Sequence, residues 1–176
     1  MLQDKPDPGV IKIGCLSDTH LSGVEDCRRL ADRLLEGVFA DVDLILHAGD
    51  IGSEELLFCL APVEVLAVAG NTDVGLTHHP AQRVFRRGGV CIAMAHGWGA
   101  GERVSLSLWK YFADRNPDVI VFGHSHVPEN RKRGQTLMFN PGSPTRPRSS
   151  FGPSVGVLTL CDGRVEARIF PLTDTF

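Results

Sequence analysis

Residues 10–20 read Val-Ile-Lys-Ile-Gly-Cys-Leu-Ser-Asp-Thr-His, an apolar run of strand length that ends in a polar turn. β-Branched residues and the sudden polar ending predict a buried strand. The stretches that follow repeat the design. Asp26 to Leu35 carries Leu30, Leu34 and Leu35 on one side among charges, which predicts a helix. Asp43 to His47 is a second strand. Ser53 to Leu60 opens on Ser-Glu-Glu, a helix N-terminal signal. Val63 to Ala69 is a third strand, ending at Gly70. This β-α-β-α-β order predicts a parallel sheet with crossover helices.

The second half is mixed. Arg83–Arg86 and Val90–Ala95 flank Arg87-Gly88-Gly89, a hairpin signature. Glu102 to Ala113 predicts a helix with Leu106, Trp109 and Phe112 or Ala113 along one face. Val119–Phe122 reads as a buried strand, followed by strands at Thr136–Asn140, Val155–Cys161 and Arg164–Phe170. Asp162-Gly163 joins the last two as a tight turn. Pro141 to Pro153 reads as an ordered surface loop. Neither a repeat nor a dividing linker is visible, so residues 10–176 are expected to form one domain behind a flexible lead-in, residues 1–9.

The bulk numbers bound the function classes. Of 176 residues, 43% are hydrophobic and 22% charged, which argues against a disordered or coiled-coil chain. A net charge of -3 gives no general attraction to nucleic acid or to anionic membrane. Arg131-Lys132-Arg133 and Arg83, Arg86 and Arg87 read as solvated hairpin ends, so no dedicated nucleic-acid surface is expected. No apolar run reaches the roughly 18 residues of a membrane span. The polar, Pro-containing start does not resemble a secretory signal. Five scattered cysteines without a CxxC spacing argue against disulfides and Cys-zinc sites, and read as small buried hydrophobes. The expected compartment is cytoplasmic.

Chemistry gathers where the strands stop. The first runs into Asp18-Thr19-His20, the second into Gly49-Asp50, and the third into Gly70-Asn71. Later strands run into His96-Gly97 and Gly123-His124-Ser125-His126. In open α/β sheets the carboxyl ends of strands form the binding crevice. Five strands therefore deliver metal-competent side chains to one edge. In an extended segment residues i and i+2 point the same way, which pairs Asp18 with His20 and His124 with His126, each pair reaching toward one point. Carboxylates, imidazoles and one amide without thiolate suit manganese, iron, zinc, cobalt or nickel. Singly, each residue has a structural explanation: a cap, a turn or a packed histidine. Seven together at strand ends do not. His47, inside Leu44-Ile45-Leu46-His47-Ala48, is expected to be buried and hydrogen-bonded behind the site. His78 and His79 are expected on the surface.

The series Asp18-x-His20, Gly49-Asp50, Gly70-Asn71, His96-Gly97 and Gly123-His124-x-His126 resembles the calcineurin-like metallophosphoesterases. Asn140-Pro141-Gly142-Ser143 resembles their small bacterial and archaeal phosphodiesterase branch. The resemblance implies a four-layer α/β/β/α sandwich of two mixed sheets and two divalent metal ions, with manganese favoured. It implies Asp18, His20 and His126 on one metal, Asn71, His96 and His124 on the other, and Asp50 bridging. It also implies hydrolysis of a small phosphoester by a metal-bridging hydroxide. Asp50, Asn71 and His96 are the candidate catalytic residues, and Arg146 and Arg148 the candidate phosphate contacts.

Two departures bear on substrate. Thr72-Asp73 follows Asn71 where the protein phosphatase branch has a histidine, leaving His96, Asp73 or water to protonate a leaving group. The short segment between Asn71 and His96 has no room for a cap domain, so an open cleft and a diester substrate are expected. A metal-dependent nuclease or cyclic-nucleotide phosphodiesterase would use the same site. The alternative of another class is a protein-binding scaffold, as in the retromer subunit of this fold, which has an altered metal site. Oligomeric state is left open, a homo-oligomer included.

Overall fold

The computed structural model describes residues 9–173 apart from Thr77 and Glu102. The expected lead-in thus lies outside the described residues but for Gly9. Ten strands form two five-stranded sheets. The first contains β1 (Ile11–Leu16), β2 (Leu44–His47), β3 (Glu64–Ala67), β9 (Ser154–Cys161) and β10 (Arg164–Pro171) in the order β10-β9-β1-β2-β3. The second contains β4 (Gln82–Arg87), β5 (Val90–Ala95), β6 (Val119–Val121), β7 (Glu129–Arg133) and β8 (Thr136–Asn140) in the order β4-β5-β6-β8-β7. Each is mixed: β1-β2-β3 and β5-β6-β8 pair in parallel, and the flanking strands antiparallel.

Side-chain alternation separates the layers. On β1 and β2, Ile13, Cys15, Leu44 and Leu46 point between the sheets, where they meet Ile92, Met94, Val121 and Phe139 of the second sheet. Ile45 points outward, under helices α1 (Val24–Leu35) and α2 (Glu54–Leu60), with Leu30, Leu34, Leu56 and Leu60. Ala93, Ile120 and Met138 point to the opposite outer face, under α3 (Arg103–Tyr111). The order is therefore helix, sheet, sheet, helix, as the resemblance implies.

Three expectations are corrected. The helix read over Glu102–Ala113 is described over Arg103–Tyr111, with Glu102 outside the described residues, and Phe112 packs just after it. Its buried row is Val104, Leu108 and Phe112 rather than Leu106 and Trp109, because 104, 108 and 112 form an unbroken i, i+4 ridge. β7 carries no apolar residue, so the period-2 signal is missing there; it is an edge strand with Asn130, Arg131 and Lys132 exposed. Cys15, Cys27 and Cys91 are buried and Cys59 half-buried, but Cys161 is exposed at the end of β9. All five are free thiols. Both glycine hairpins hold: Gly88 and Gly89, and Asp162 and Gly163, have positive φ, which two-residue turns of this hand require. No described helix is long and apolar enough to cross a membrane.

Candidate metal centre

β1, β2, β3, β5 and β6 all end at one edge, and the residues that follow carry the seven candidates. Asp18, Asp50, His96 and His126 are buried, His20 and His124 half-buried, and Asn71 exposed. The backbone there is not extended. Among the described residues seven non-glycines have positive φ, and five of them are Asp18, His20, Asp50, His124 and His126. The other two, Asn116 and Asp162, cap a 3-10 turn and a hairpin. Left-handed backbone in such residues is unfavourable, and its concentration at one place points to function. The expected alternation of i and i+2 is thereby corrected. Asp18 and His20 still converge, but His124 and His126 part.

His126 turns its Nε2 to within 3.3 Å of Asp18 Oδ1 and 3.2 Å of His20 Nε2. His124 turns its Nδ1 to within 3.0 Å of Asn71 Oδ1. Asp50 Oδ2 lies between the two groups, 3.5 Å from His20 Nε2 and 3.3 Å from His96 Nε2. The atoms of Asp18, His20 and His126, and those of Asp18, Asp50 and His96, each sit close enough together to share one ion.

Backbone carbonyls fix which ring nitrogens are free. His96 donates from Nδ1 to Ala48 O (2.8 Å), His126 from Nδ1 to Arg146 O (2.6 Å), and His124 from Nε2 to Gly99 O (3.0 Å). A carbonyl can only accept, so each ring spends its proton outward and presents a bare nitrogen inward, the arrangement of metal-ligating histidines. His96 Nε2 and Asp18 Oδ2 are buried with no hydrogen-bond partner. Lone pairs aimed into a cluster of acceptors fit cations, and the donor set is chemically that of hard-to-borderline divalent metals.

A shell unseen in the sequence holds this arrangement. Asp73 is no free acid: it accepts from the backbone N–H groups of Ile51 (3.2 Å), Gly52 (3.1 Å) and Gly70 (2.8 Å), tying the Asp50 loop to the Asn71 loop. Both its oxygens are thus committed to backbone, which removes it as a leaving-group acid. His96, whose proton is held by Ala48 O, is poorly placed for that task too. Asn140 donates to Gly123 O and Ser125 Oγ, Ser17 Oγ donates to Gly142 O, and Ser143 Oγ donates to Asp18 O. Residues 141–144 are therefore buried rather than part of a surface loop. His47 is buried and shares a 2.9 Å hydrogen bond with Thr19 Oγ1, whose own proton goes to Ile51 O. It sits behind the ligand loops, as expected. Arg146 and Arg148 are exposed on the His20–His126 side.

The family model described as the calcineurin-like phosphoesterase superfamily domain matches residues 11–163. The chain belongs to that superfamily. Within this calcineurin-like superfamily it is 32% identical over 170 residues to a protein of Methanocaldococcus jannaschii named probable metallophosphoesterase, covering 94% of this chain and 84% of that one. Its fold matches a predicted phosphoesterase of Streptococcus pneumoniae with a TM-score of 0.71 at 21% identity, over 93% and 90% of the two chains. It also matches Entamoeba histolytica Vps29 complexed with zinc, with a TM-score of 0.64 at 22% identity, over 91% and 98%.

Electrostatics suit a calcineurin-like centre. Burial pushes Asp18 up to about 6 despite the opposing pull of His96. Burial would raise Asp50 as well, but His96 and the Thr72 N–H reverse that and keep it ionised well below the usual range. Burial lowers His20 and His126, keeping them neutral. Burial alone would lower His96, but the Asp50 and Asp18 carboxylates outweigh it. A cation held here would compete with the Asp18 proton below about pH 6, and with the proton of His96, which the two carboxylates bind more tightly than an ordinary imidazole does. Affinity for a divalent cation should therefore fall as pH drops below about 6, approaching roughly tenfold per unit for the Asp18 proton released. Titration calorimetry at several pH values checks this; a flat profile would show that these groups are not ligands.

Proposed function

We propose that this chain is a dinuclear metal-dependent phosphoesterase acting on phosphodiesters. Asp18, His20 and His126 hold one ion, Asn71, His96 and His124 the other, and Asp50 bridges. The observation that carries this reading is Asp50 Oδ2 lying between His20 and His96, with an imidazole nitrogen approaching it from each side. Divalent ions supply Lewis acidity there and lower the pKa of bound water toward neutrality. Two dications outweigh two carboxylates, and Asn71, being neutral, leaves the centre cationic and attractive to phosphate. The proposed ions are manganese first, with nickel, iron, zinc or cobalt as substitutes.

The surroundings favour a diester. A cleft of about 660 Å³ opens on the His124 side, bounded by Gly99, Ser125 and Arg148. A second, of about 280 Å³, opens on the Asn71–His96 side, walled by Trp98 and Tyr111, whose rings meet edge to face at 5.3 Å. Space on both flanks accommodates a substituent on each side of phosphorus. Asp73 and His96 are both committed to backbone partners and offer no free proton to a poor leaving group, which favours esters of acidic alcohols and phenols. The Vps29 likeness is one of fold alone, and the complete ligand set favours catalysis over a binding scaffold.

Stripped protein should regain hydrolysis of an aryl phosphodiester when manganese is added, and should turn over the matching monoester more slowly. Absence of turnover with every divalent metal would move the reading to the scaffold; faster monoester cleavage would overturn the diester preference. Nucleic-acid and cyclic-nucleotide substrates in the same panel separate the more specialised activities. Among the described residues the guanidinium group of Arg148 donates to no hydrogen-bond partner, and Arg148 lines the larger cleft. Arg148→Gln should raise KM for the diester about tenfold, the worth of one charge-assisted hydrogen bond. Bound metal should be unchanged, and Arg146→Gln is the parallel test.

A further inference from the structure

Away from this centre, Glu54, His78 and His79 bring three more ligand atoms together. His78 Nε2 and His79 Nε2 each lie 2.7 Å from the same oxygen, Glu54 Oε1, and all three ligand atoms fall within 4.8 Å of one another. The two rings stand 4.2 Å apart. Neighbouring residues on an extended segment point to opposite sides; here a turn, closed by His79 N–H to Leu76 O, swings both to one side. A lone surface ion pair contributes little, so one carboxylate oxygen gains little from a second imidazole. Two imidazoles and a carboxylate are, however, a recurrent three-ligand set for transition metals, with a fourth position for water.

We propose that Glu54, His78 and His79 form a further divalent transition-metal site of the zinc class, distinct from the catalytic pair. Tetrahedral zinc, with bonds near 2.0–2.1 Å, spaces its ligand atoms roughly 3.4 Å apart. The two contacts with Glu54 therefore need to open by only about 0.7 Å, which side-chain torsions supply. His79 is half-buried and Glu54 partly shielded, while His78 is open to solvent, giving an entry path. The site joins the start of α2, just after the Asp50 loop, to the far end of the loop that begins at Asn71. Asp73 already ties the near ends of these two loops through backbone N–H groups. An ion at Glu54 would brace the same pair of loops from the other end. Imidazole-rich sites bind zinc, copper or nickel well above manganese, so this site discriminates metals that the catalytic centre accepts together.

The test is metal stoichiometry on the full chain, stripped and then reloaded with zinc or with manganese. Zinc should exceed manganese by one equivalent per chain. His78→Ala/His79→Ala should lose that one equivalent and retain manganese-dependent diester hydrolysis. Glu54→Gln, which leaves both rings in place, should lose it as well. In His124→Ala, a variant of the catalytic set, the Glu54 equivalent should remain, so failure of either site is read separately. With cobalt, the extra equivalent should add a visible d–d band in wild type that is absent from the double variant. Equal zinc content in wild type and double variant would overturn the proposal, as would loss of the extra equivalent only with the catalytic ligands.

Discussion

Replacing Asp50 by Asn should lower kcat/KM for an aryl diester by roughly 10³-fold. The side chain keeps its shape, and its Oδ1 can still accept the Thr72 N–H at 2.9 Å. What changes is the atom between His20 and His96: a carboxylate oxygen becomes an amide group that must turn either its N–H hydrogens or its single oxygen toward the cations. The charge that would hold two dications together in the proposed centre is also removed. Lewis-acid stabilisation is worth several kcal/mol, and about 4 kcal/mol corresponds to three powers of ten. Bound manganese should fall below two equivalents, and the metal-free fold should lose some stability, because the ionised carboxylate that His96 and the Thr72 N–H favour has gone. Kinetics, metal analysis and thermal unfolding of the metal-free variant check the three parts. A variant with full metal content and near-normal rate would remove Asp50 from the centre.

Gly70→Ala should be nearly as damaging without touching a ligand. A Cβ at residue 70 would stand 2.2 Å from both the backbone nitrogen and Oδ1 of Asp50. Neither atom can give way, because the backbone there is fixed by Asp73 and Thr72. The methyl must push the Asp50 loop away from the Asn71 loop. A displacement of about 1 Å at reacting geometry costs on the order of 10² in rate, and the strain adds about 1–3 kcal/mol of destabilisation. Gly75→Ala is the control within the same loop: its Cβ would meet nothing within 4 Å. If both variants behave alike, the close approach of the two loops is not what positions Asp50.

These two residues also mark where the sequence was legible. The polar residues after each apolar run could be found because strand and ending are local, and five such endings in one order leave few folds to choose from. The tight glycines could be noticed, but their partners could not: Gly70 matters through Asp50, and Gly123 through a Cβ that would stand 2.7 Å from Asp18 Oδ2. The supporting shell was hidden for the same reason. Ser143 reaches Asp18 across 125 residues, and Asp73 reads as an ordinary turn residue until its three backbone partners are seen. The pleat rule failed at Asp18–His20 and His124–His126 because the strands have already ended, and the left-handed turns there sort the histidines between two groups. Strand β7 was missed because a solvated edge strand needs no apolar side chain.

The most direct test of the account is anomalous diffraction from crystals of the manganese-loaded protein. The account predicts two manganese positions roughly 3.5–4 Å apart, one bonded to Asp18, His20 and His126, the other to Asn71, His96 and His124, with Asp50 touching both. A single ion, or ions that leave the bare nitrogens of His96 and His126 without a partner, would contradict it.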